Sequence, residues 1–262
     1  MSTPRLYLDQ PLAEGAEVPA TAGQAHYLGG VMRRAVGDAV LLFNGRDGEW
    51  AASVAHLRKD RCSLRPERQV RPQEPVPGCR LLVAAVKRDA MDWMAEKATE
   101  LGIGLIQPVL TRRSITDRVN LARLAAIAQE AAEQCGRLTV PAVAAAAPLH
   151  AVLDAWDATP LLVGDERRES PPLVQAVRAL PAGPWAWLVG PEGGFERAEL
   201  DDLRRRAFVS TVSLGPRILR AETAAVAGLA VLQALAGDWP ATGRGTETGL
   251  DRAPGVLPRP RR

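Results

Sequence analysis

Two short stretches concentrate the residues that could do chemistry: "LVGPEGGFERAEL" at residues 188–200 and "VSLGPRILRAETA" at residues 212–224. Each places Gly-Pro directly after an apolar run and then leads into a helical pattern. Glycine lets the backbone approach a bound molecule closely, and the free N–H groups at a helix start can donate to it. Such loops suit an adenine or ribose edge as readily as a phosphate. Either loop alone also fits an ordinary tight turn, so the prediction of a binding site depends on the occurrence of both loops in one chain.

The elements that must position these loops follow a regular rhythm. Five apolar runs alternate with segments of helical period, and they read "RLLVAAV", "IGLIQPVL", "PLLVGDE", "PWAWLVG" and "FVSTVSLG". This alternation predicts a mostly parallel sheet covered by helices. Open α/β sheets bind ligands at the carboxyl edge of their strands, so we expect both loops to meet at one site there.

Composition divides the chain into three parts. The proline-rich stretch "VRPQEPVPG" at residues 70–78 predicts a stiff linker. Before it, in residues 1–72, short alternating runs predict a small, mostly β domain. The α/β pattern occupies residues 73–239, and the Pro-, Gly- and Arg-rich residues 240–262 are typical of a disordered basic tail.

Charge and motifs exclude several classes of function. The net charge of +3 resides in the tail, whose five arginines face two acids, while residues 1–239 hold 28 basic and 28 acidic side chains. Bulk charge therefore does not indicate a nucleic-acid partner. The GxxxxGK[ST] and GxSxG motifs are absent, which argues against a P-loop enzyme and a serine hydrolase of the nucleophile-elbow type. The three cysteines and three histidines lack metal-ligand spacing, so we predict no metal.

The compartment and the assembly state can also be predicted. We expect a cytoplasmic protein with reduced thiols and no membrane partner, because there is no basic segment followed by an apolar stretch and no run of transmembrane length. The last helical pattern, "AAVAGLAVLQALA" at residues 224–236, has Gln233 as its one polar residue. A helix that is apolar nearly all round must be covered on several sides. A second subunit of a homodimer or the core of a monomer would each provide that cover.

Several segments together resemble one known family. The stretches "LVGPEGGF", "LGPRILRAETAA", "DWMAEKATELGI" and "EQCGR" are similar to signature segments of the RsmE family. These are SPOUT-class RNA methyltransferases that modify uridine N3 in 16S ribosomal RNA. The N-terminal "RLYL" and "HYLGGVMRRAVGDAVLLFNG" resemble the family's PUA-like RNA-binding domain, so the similarity spans residues 5 to about 238. Ala221 departs from the threonine that the family more often has, which leaves one hydroxyl contact open.

The resemblance implies an α/β fold with a C-terminal trefoil-knotted SPOUT methyltransferase domain and a small N-terminal PUA-like β-barrel domain. It also implies S-adenosyl-L-methionine bound by three loops at the knot. In this interpretation the glycines clasp the cofactor, apolar side chains wall the adenine, and Glu192 faces either the ribose or the cationic methionine end. The implied cofactor-binding residues are Leu162, Val163, Gly164, Val189, Gly190, Pro191, Glu192, Gly193, Gly194, Leu214, Gly215, Ile218, Leu219, Arg220 and Thr223.

The implied chemistry nominates further residues. Transfer to uridine N3 requires loss of the N3 proton and stabilisation of charge on the uracil oxygens. Arg220 and Glu222 begin the last helix beside a cofactor loop and are the catalytic candidates, although an acid in a first turn also simply favours the helix dipole. The candidate contacts to the RNA backbone are Arg5, Arg33, Arg34 and Arg137.

The favoured hypothesis is thus a cofactor-dependent methyltransferase acting on 16S rRNA in the small ribosomal subunit. A catalytically silent RNA-binding or ribosome-assembly protein with the same fold is the alternative, and the presence or absence of cofactor binding would separate the two. A nucleotide-utilising α/β enzyme unrelated to RNA fits less well, because the phosphate-binding motifs are missing.

Overall fold

The structure is a computed structural model that describes residues 3–59, 61–167 and 170–239. The predicted tail, residues 240–262, lies outside the described residues. The strands are β1 Arg5–Tyr7, β2 Val18–Ala20, β3 Ala39–Phe43, β4 Glu49–Arg58, β5 Arg61–Arg71, β6 Arg80–Ala84, β7 Leu105–Leu110, β8 Ala142–Val143, β9 Ala147–Pro148, β10 Leu161–Gly164, β11 Ala186–Val189 and β12 Val209–Val212. The helices are α1 Ala22–His26, which continues into a π-helical turn Tyr27–Val31, α2 Arg88–Glu100, α3 Leu121–Cys135, α4 Leu149–Asp154, α5 Leu173–Arg178, α6 Arg197–Arg205 and α7 Ala221–Ala236.

The N-terminal strands form a five-stranded sheet in the order β1-β3-β4-β5-β2. Strand β1 runs parallel to β3, and the other pairs are antiparallel. The turn between β3 and β4 contains Asp47 and Gly48, and the Asp47 carboxylate accepts from the Leu12 backbone amide at 2.8 Å and the Asn44 side-chain amide at 2.6 Å. These hydrogen bonds lower the pKa of Asp47 and hold the turn against the preceding loop.

The C-terminal strands form a seven-stranded sheet whose main order is β12-β10-β11-β6-β7-β8, with β9 also pairing with β7. All of its pairings are parallel, which confirms the predicted sheet. Successive residues of one strand enter different cores, because side chains alternate across a pleated strand. Leu81 and Trp187 belong to the core that includes α2 and α7, whereas Leu82 and Leu188 belong to the core that includes α4 and α6. Burial on both faces explains why these strands are continuous apolar runs.

Arg5 joins the N-terminal sheet to the carboxyl end of helix α3. Its guanidinium forms an ion pair with Glu49 and donates to the carbonyls of Ala132 and Arg137, each at 2.7 Å. Those carbonyls lie at and just beyond the carboxyl end of α3, where helical carbonyls lack intrahelical partners. Arg71 adds a bond to the Gly136 carbonyl at 2.8 Å. The end of α3 is therefore capped by side chains of the N-terminal sheet.

This interface corrects the sequence interpretation of two arginines. Arg5 was expected to contact RNA, but its side chain is 10% exposed and its donors are used inside the protein. Arg137 is half-buried and donates to the Thr99 carbonyl at 2.7 Å and to the Thr139 hydroxyl at 3.0 Å. Burial also lowers the pKa of the Arg137 guanidinium. Both side chains therefore stabilise the protein interior.

Candidate active site

A cleft opens at the carboxyl ends of three neighbouring strands, β10, β11 and β12. Because the strands are parallel, the loop after each of them lies at the same edge of the sheet. The first residues of α7 complete the lining of the cleft. The lining residues are Gly164, Asp165, Glu166, Arg167, Val189, Gly190, Pro191, Glu192, Gly194, Phe195, Leu200, Leu214, Gly215, Arg217, Ile218, Leu219, Ala221 and Ala224. The two Gly-Pro loops meet here, as their positions after apolar runs predicted.

The loop after β10 is held by a buried carboxylate. The side chain of Asp165 is 1% exposed, and it accepts from Arg204 at 3.0 Å and from the Ser170 hydroxyl at 2.8 Å. Its second oxygen accepts from the backbone amide of Arg167 at 3.0 Å. Because its oxygens are engaged in these bonds, we assign Asp165 to shaping the loop. The next acid, Glu166, is exposed at the cleft and is free to face a ligand.

The loop after β11 turns tightly around its glycines. The amide of Gly194 donates to the Pro191 carbonyl at 2.8 Å, and Gly194 has φ +67°, which L side chains rarely adopt. A Cβ atom at Gly194 would overlap with the Glu166 carboxylate from the facing loop. At Gly190, a Cβ atom would come within 2.9 Å of the Phe195 ring. The Phe195 ring therefore leaves no room for a Cβ atom at Gly190, and at Gly194 the positive φ disfavours any side chain.

The loop after β12 presents apolar side chains to the cleft. Leu214 and Leu219 are half-buried, and Ile218 is 76% exposed. Ile218 lies beside Leu214 and Leu219 in the lining of the cleft, so the three side chains give the cleft an apolar side. The cleft therefore combines an apolar side with the acids Glu166 and Glu192. That combination suits a ligand with a flat apolar group at one end and positive charge at the other.

The predicted cofactor residues divide into two groups. Ten line the cleft: Gly164, Val189, Gly190, Pro191, Glu192, Gly194, Leu214, Gly215, Ile218 and Leu219. Five do not: Leu162, Val163, Gly193, Arg220 and Thr223. Leu162 and Val163 are fully buried in β10, and their side chains enter the two cores on either side of the sheet. Their packing fixes the end of β10, from which the first of the cleft loops begins.

Eight lining residues were not predicted: Asp165, Glu166, Arg167, Phe195, Leu200, Arg217, Ala221 and Ala224. The charged triplet "DER" at residues 165–167 directly follows the apolar run of β10. This was a usable signal, because charged residues immediately after a buried parallel strand lie at its carboxyl edge. Arg217 stands inside the second Gly-Pro loop and could have been found for the same reason.

The two catalytic candidates lie at the start of α7. Arg220 is the exposed N-cap residue, and the residues on either side of it, Leu219 and Ala221, both line the cleft. Glu222 is half-buried in the first turn. Within the described part of the chain, neither side chain forms an ion pair or a hydrogen bond. Both are therefore available to a substrate, and their roles remain predictions.

The remaining RNA candidates lie far from the cleft in sequence, on the N-terminal domain. Arg33 is exposed, with φ 51°, and Arg34 is half-buried, both just after the π-helical turn. Among the described residues, no group of three or more His, Cys, Asp or Glu side chains could hold a metal ion. No helix in the described ranges is long and apolar enough to cross a membrane.

The parallel α/β sheet with its cleft, together with the N-terminal sheet, has the architecture of an α/β methyltransferase that carries an N-terminal RNA-binding domain. Residues 72–233 match the family model of the RNA methyltransferase domain, and residues 20–67 match that of the RNA methyltransferase PUA domain. The chain belongs to this RNA methyltransferase family, which confirms the resemblance seen in the sequence.

Individual relatives narrow the comparison. Ribosomal RNA small subunit methyltransferase E of Rickettsia conorii is 34% identical over 232 residues, covering 88% of this chain and 95% of the relative. The crystal structure of a ribosomal RNA small subunit methyltransferase E from Neisseria gonorrhoeae bound to S-adenosyl methionine superposes with a TM-score of 0.80 at 31% identity, covering 91% of this chain and 100% of that one. A Legionella pneumophila methyltransferase in complex with SAM gives a TM-score of 0.80 at 27% identity, covering 89% of this chain and 98% of that one.

Proposed function

We propose that this protein transfers a methyl group from S-adenosyl-L-methionine to N3 of one uridine in 16S ribosomal RNA, acting on the assembled small subunit. The observation that carries the proposal is the cleft at the ends of β10, β11 and β12, in which an apolar wall faces two exposed acids. The relatives named ribosomal RNA small subunit methyltransferase E support the choice of substrate class.

The residues of the cleft fit this cofactor. Leu214, Ile218 and Leu219 provide an apolar surface for an adenine ring. Glu166 and Glu192 place negative charge where a sulfonium and an ammonium group would be stabilised. When bound, S-adenosyl-L-methionine supplies an electrophilic methyl group on a positively charged sulfur.

The chain itself must align the uracil and manage its charge. Two reactants held at near-attack distance avoid the entropic cost of meeting, so most of the acceleration can come from alignment. As N3 loses its proton, negative charge develops on the neighbouring uracil oxygens. We assign Arg220 to stabilising that charge and Glu222, or a water molecule beside it, to accepting the proton. Arg220 lies between two residues that line the cleft, and Glu222 follows in the first turn of α7. Neither side chain has a competing partner among the described residues, which supports these roles.

The proposal includes a trefoil knot in the methyltransferase domain, residues 73–239, and a closed PUA-like barrel in residues 1–72. The sheet order supports the knot, because β10 and β11 are neighbours while β12 crosses to the outer side of β10. Arg33 and Arg34 remain proposed contacts to the RNA backbone on the N-terminal domain. A cytoplasmic location accompanies the proposed ribosomal substrate.

We also propose a homodimer through α7. This helix packs on β11, α2 and α5, yet Leu235 is 43% exposed near its carboxyl end. Trp239, just beyond the helix, is 54% exposed. Sedimentation equilibrium should show a dimer for the natural protein, and Leu235→Glu should shift it toward the monomer. A monomer at all accessible concentrations would remove this part of the proposal.

The reaction is tested with methyl-labelled S-adenosyl-L-methionine and small ribosomal subunits from cells that lack the enzyme. Label on N3 of a single uridine is the expected result, and naked 16S rRNA in parallel reports which form is the substrate. Arg220→Ala should abolish transfer while cofactor affinity, measured by calorimetry, stays within about twofold of the unmodified protein. If no label appears and no cofactor binds, the chain would instead be a silent RNA-binding protein.

A further inference from the structure

Seven of the fifteen described arginines of the C-terminal domain form an ion pair with a neighbouring acid. The pairs are Arg80–Asp157, Arg88–Asp89, Arg112–Glu196, Arg123–Asp92, Arg204–Asp165, Arg205–Asp202, Arg206–Asp154 and Arg206–Asp202. An arginine paired in this way adds little to the positive potential of the surface. The distribution of the unpaired arginines therefore decides where this domain can attract an anion.

Three of the arginines that form no ion pair among the described residues lie beside the candidate active site: Arg113, Arg167 and Arg217. We call these three residues the arginine rim. Arg167 and Arg217 are exposed and line the cleft. Arg113 reaches the same place from the loop after β7, because its guanidinium donates to the Gly193 carbonyl at 2.8 Å. None of the three forms an ion pair within the described ranges. Each comes from a different loop, so the fold alone brings them together.

The lining of the cleft carries both signs of charge. Glu166 and Glu192, which would stabilise a cationic cofactor, line the cleft together with Arg167 and Arg217, and all four side chains are exposed. A cofactor carboxylate carries one negative charge and can occupy one guanidinium. Three unpaired guanidinium groups fit a ligand that presents several anionic groups along a chain. Arginine binds phosphate through a planar fork of donors, so an RNA strand is the partner that this chemistry favours.

We propose that the arginine rim binds the phosphates on either side of the target nucleotide, so that the catalytic domain itself grips the RNA strand at the point of reaction. This inference rests on the proposed function. It differs from the sequence interpretation, which placed most of the backbone contacts on the N-terminal domain. The anchored Arg113 would fix one phosphate relative to the loop after β11, and Arg167 and Arg217 would hold the strand across the cleft.

The test is the salt dependence of RNA affinity. Each contact to a single-strand phosphate contributes about 0.7 to the slope of log K against log salt. A fluorescent single-stranded RNA 12-mer carrying the mapped uridine, or a uridine-rich 12-mer if none is mapped, is titrated from low to high salt. The triple variant Arg113→Gln, Arg167→Gln, Arg217→Gln should lower the slope by about 2 and weaken binding about 100-fold at 0.1 M salt. Each single variant should lower the slope by about 0.7.

Arg178→Gln is the matched control, because Arg178 is an exposed arginine on α5 that has no ion pair among the described residues and does not line the cleft. Its slope should equal that of the unmodified protein. Unchanged slopes in the three single variants would overturn the proposal. So would a large loss of cofactor affinity with an unchanged slope, since the arginines would then belong to the cofactor. The labelling experiment tests the reaction separately, so failure of the rim and failure of the proposed function give different results.

Discussion

Replacement of Arg5 by methionine should loosen the contact between the two domains. Methionine keeps an apolar chain over the Phe43 ring, which lies 4.0 Å from the guanidinium, but it removes every donor. The change leaves the carbonyls of Ala132 and Arg137 without the two bonds of 2.7 Å. It also leaves the buried Glu49 carboxylate with Arg71 as its remaining charged partner, at 3.7 Å.

The magnitude follows from these contacts. Removing one partner of a buried ion pair costs about 3–5 kcal/mol. Arg71 remains near Glu49, so we expect the lower end, a loss of about 3 kcal/mol in the free energy of unfolding. Adding Glu49→Gln to Arg5→Met should recover about 1–2 kcal/mol, because no buried charge is then left unpaired. Urea unfolding followed by circular dichroism measures both effects, and a split into two transitions would show that the domains have uncoupled.

The surface control for this experiment is Arg205→Gln. Arg205 is 70% exposed and pairs with Asp202, and Asp202 also pairs with Arg206. Because Asp202 keeps its ion pair with Arg206, the loss of the Arg205 guanidinium should cost about 0–1 kcal/mol in the free energy of unfolding. An Arg5→Met variant that is no less stable than Arg205→Gln would refute the assignment of Arg5 to the interface.

Four further substitutions, one of them a control, test the cleft, the core and the interface. Gly194→Ala should weaken cofactor binding at least about tenfold, because Gly194 has a positive φ and its Cβ would overlap with Glu166. Gly193→Ala is the control and should change binding less than about twofold, because its Cβ would meet the Arg113 side chain at an ordinary 3.6 Å. Calorimetry measures both affinities, and equal effects would contradict the geometry. Gly228→Ala should destabilise the protein by about 1–3 kcal/mol in thermal unfolding, because its Cβ would overlap with the Trp187 ring. Stabilisation would show that helix propensity dominates instead. Burial raises the pKa of Glu133, so the folded state holds its proton more tightly and stability falls as pH rises from the ordinary value of 4.5 through the raised value. Glu133→Gln should remove that fall, and urea unfolding at pH 4 and pH 7 measures it; the same pH dependence in the variant would disprove the assignment.

The elements of the C-terminal domain were predictable because their signals are local. Each of the five apolar runs contains a strand of the parallel sheet, and the Gly-Pro pairs follow two of them directly. Periodicity and turn residues act within a few positions of the chain, so a single sequence carries them. The convergence of the two Gly-Pro loops followed from one rule about the carboxyl edge of parallel sheets.

The third loop of the site was less predictable. The family resemblance implied a cofactor loop after Gly164, but the contribution of Asp165, Glu166 and Arg167 depends on β10 lying between β11 and β12. Strand order is set by long-range pairing, which leaves no mark in the residues that flank the strand. Arg113 reaches the site from β7 for the same kind of reason, through one contact to the Gly193 carbonyl.

The sequence by itself determined the alternation of strands and helices in the parallel sheet and the two Gly-Pro loops of the cleft, because local propensity and hydrophobic period specify them. Only the tertiary structure decided which charges are buried and which are free. Arg5 and Arg217 are both arginines beside apolar residues in the sequence, yet Arg5 is enclosed by Glu49 and the end of α3, while Arg217 stands open at the cleft. The distinction depends on which distant groups replace water around a guanidinium, and that is a property of the folded chain alone.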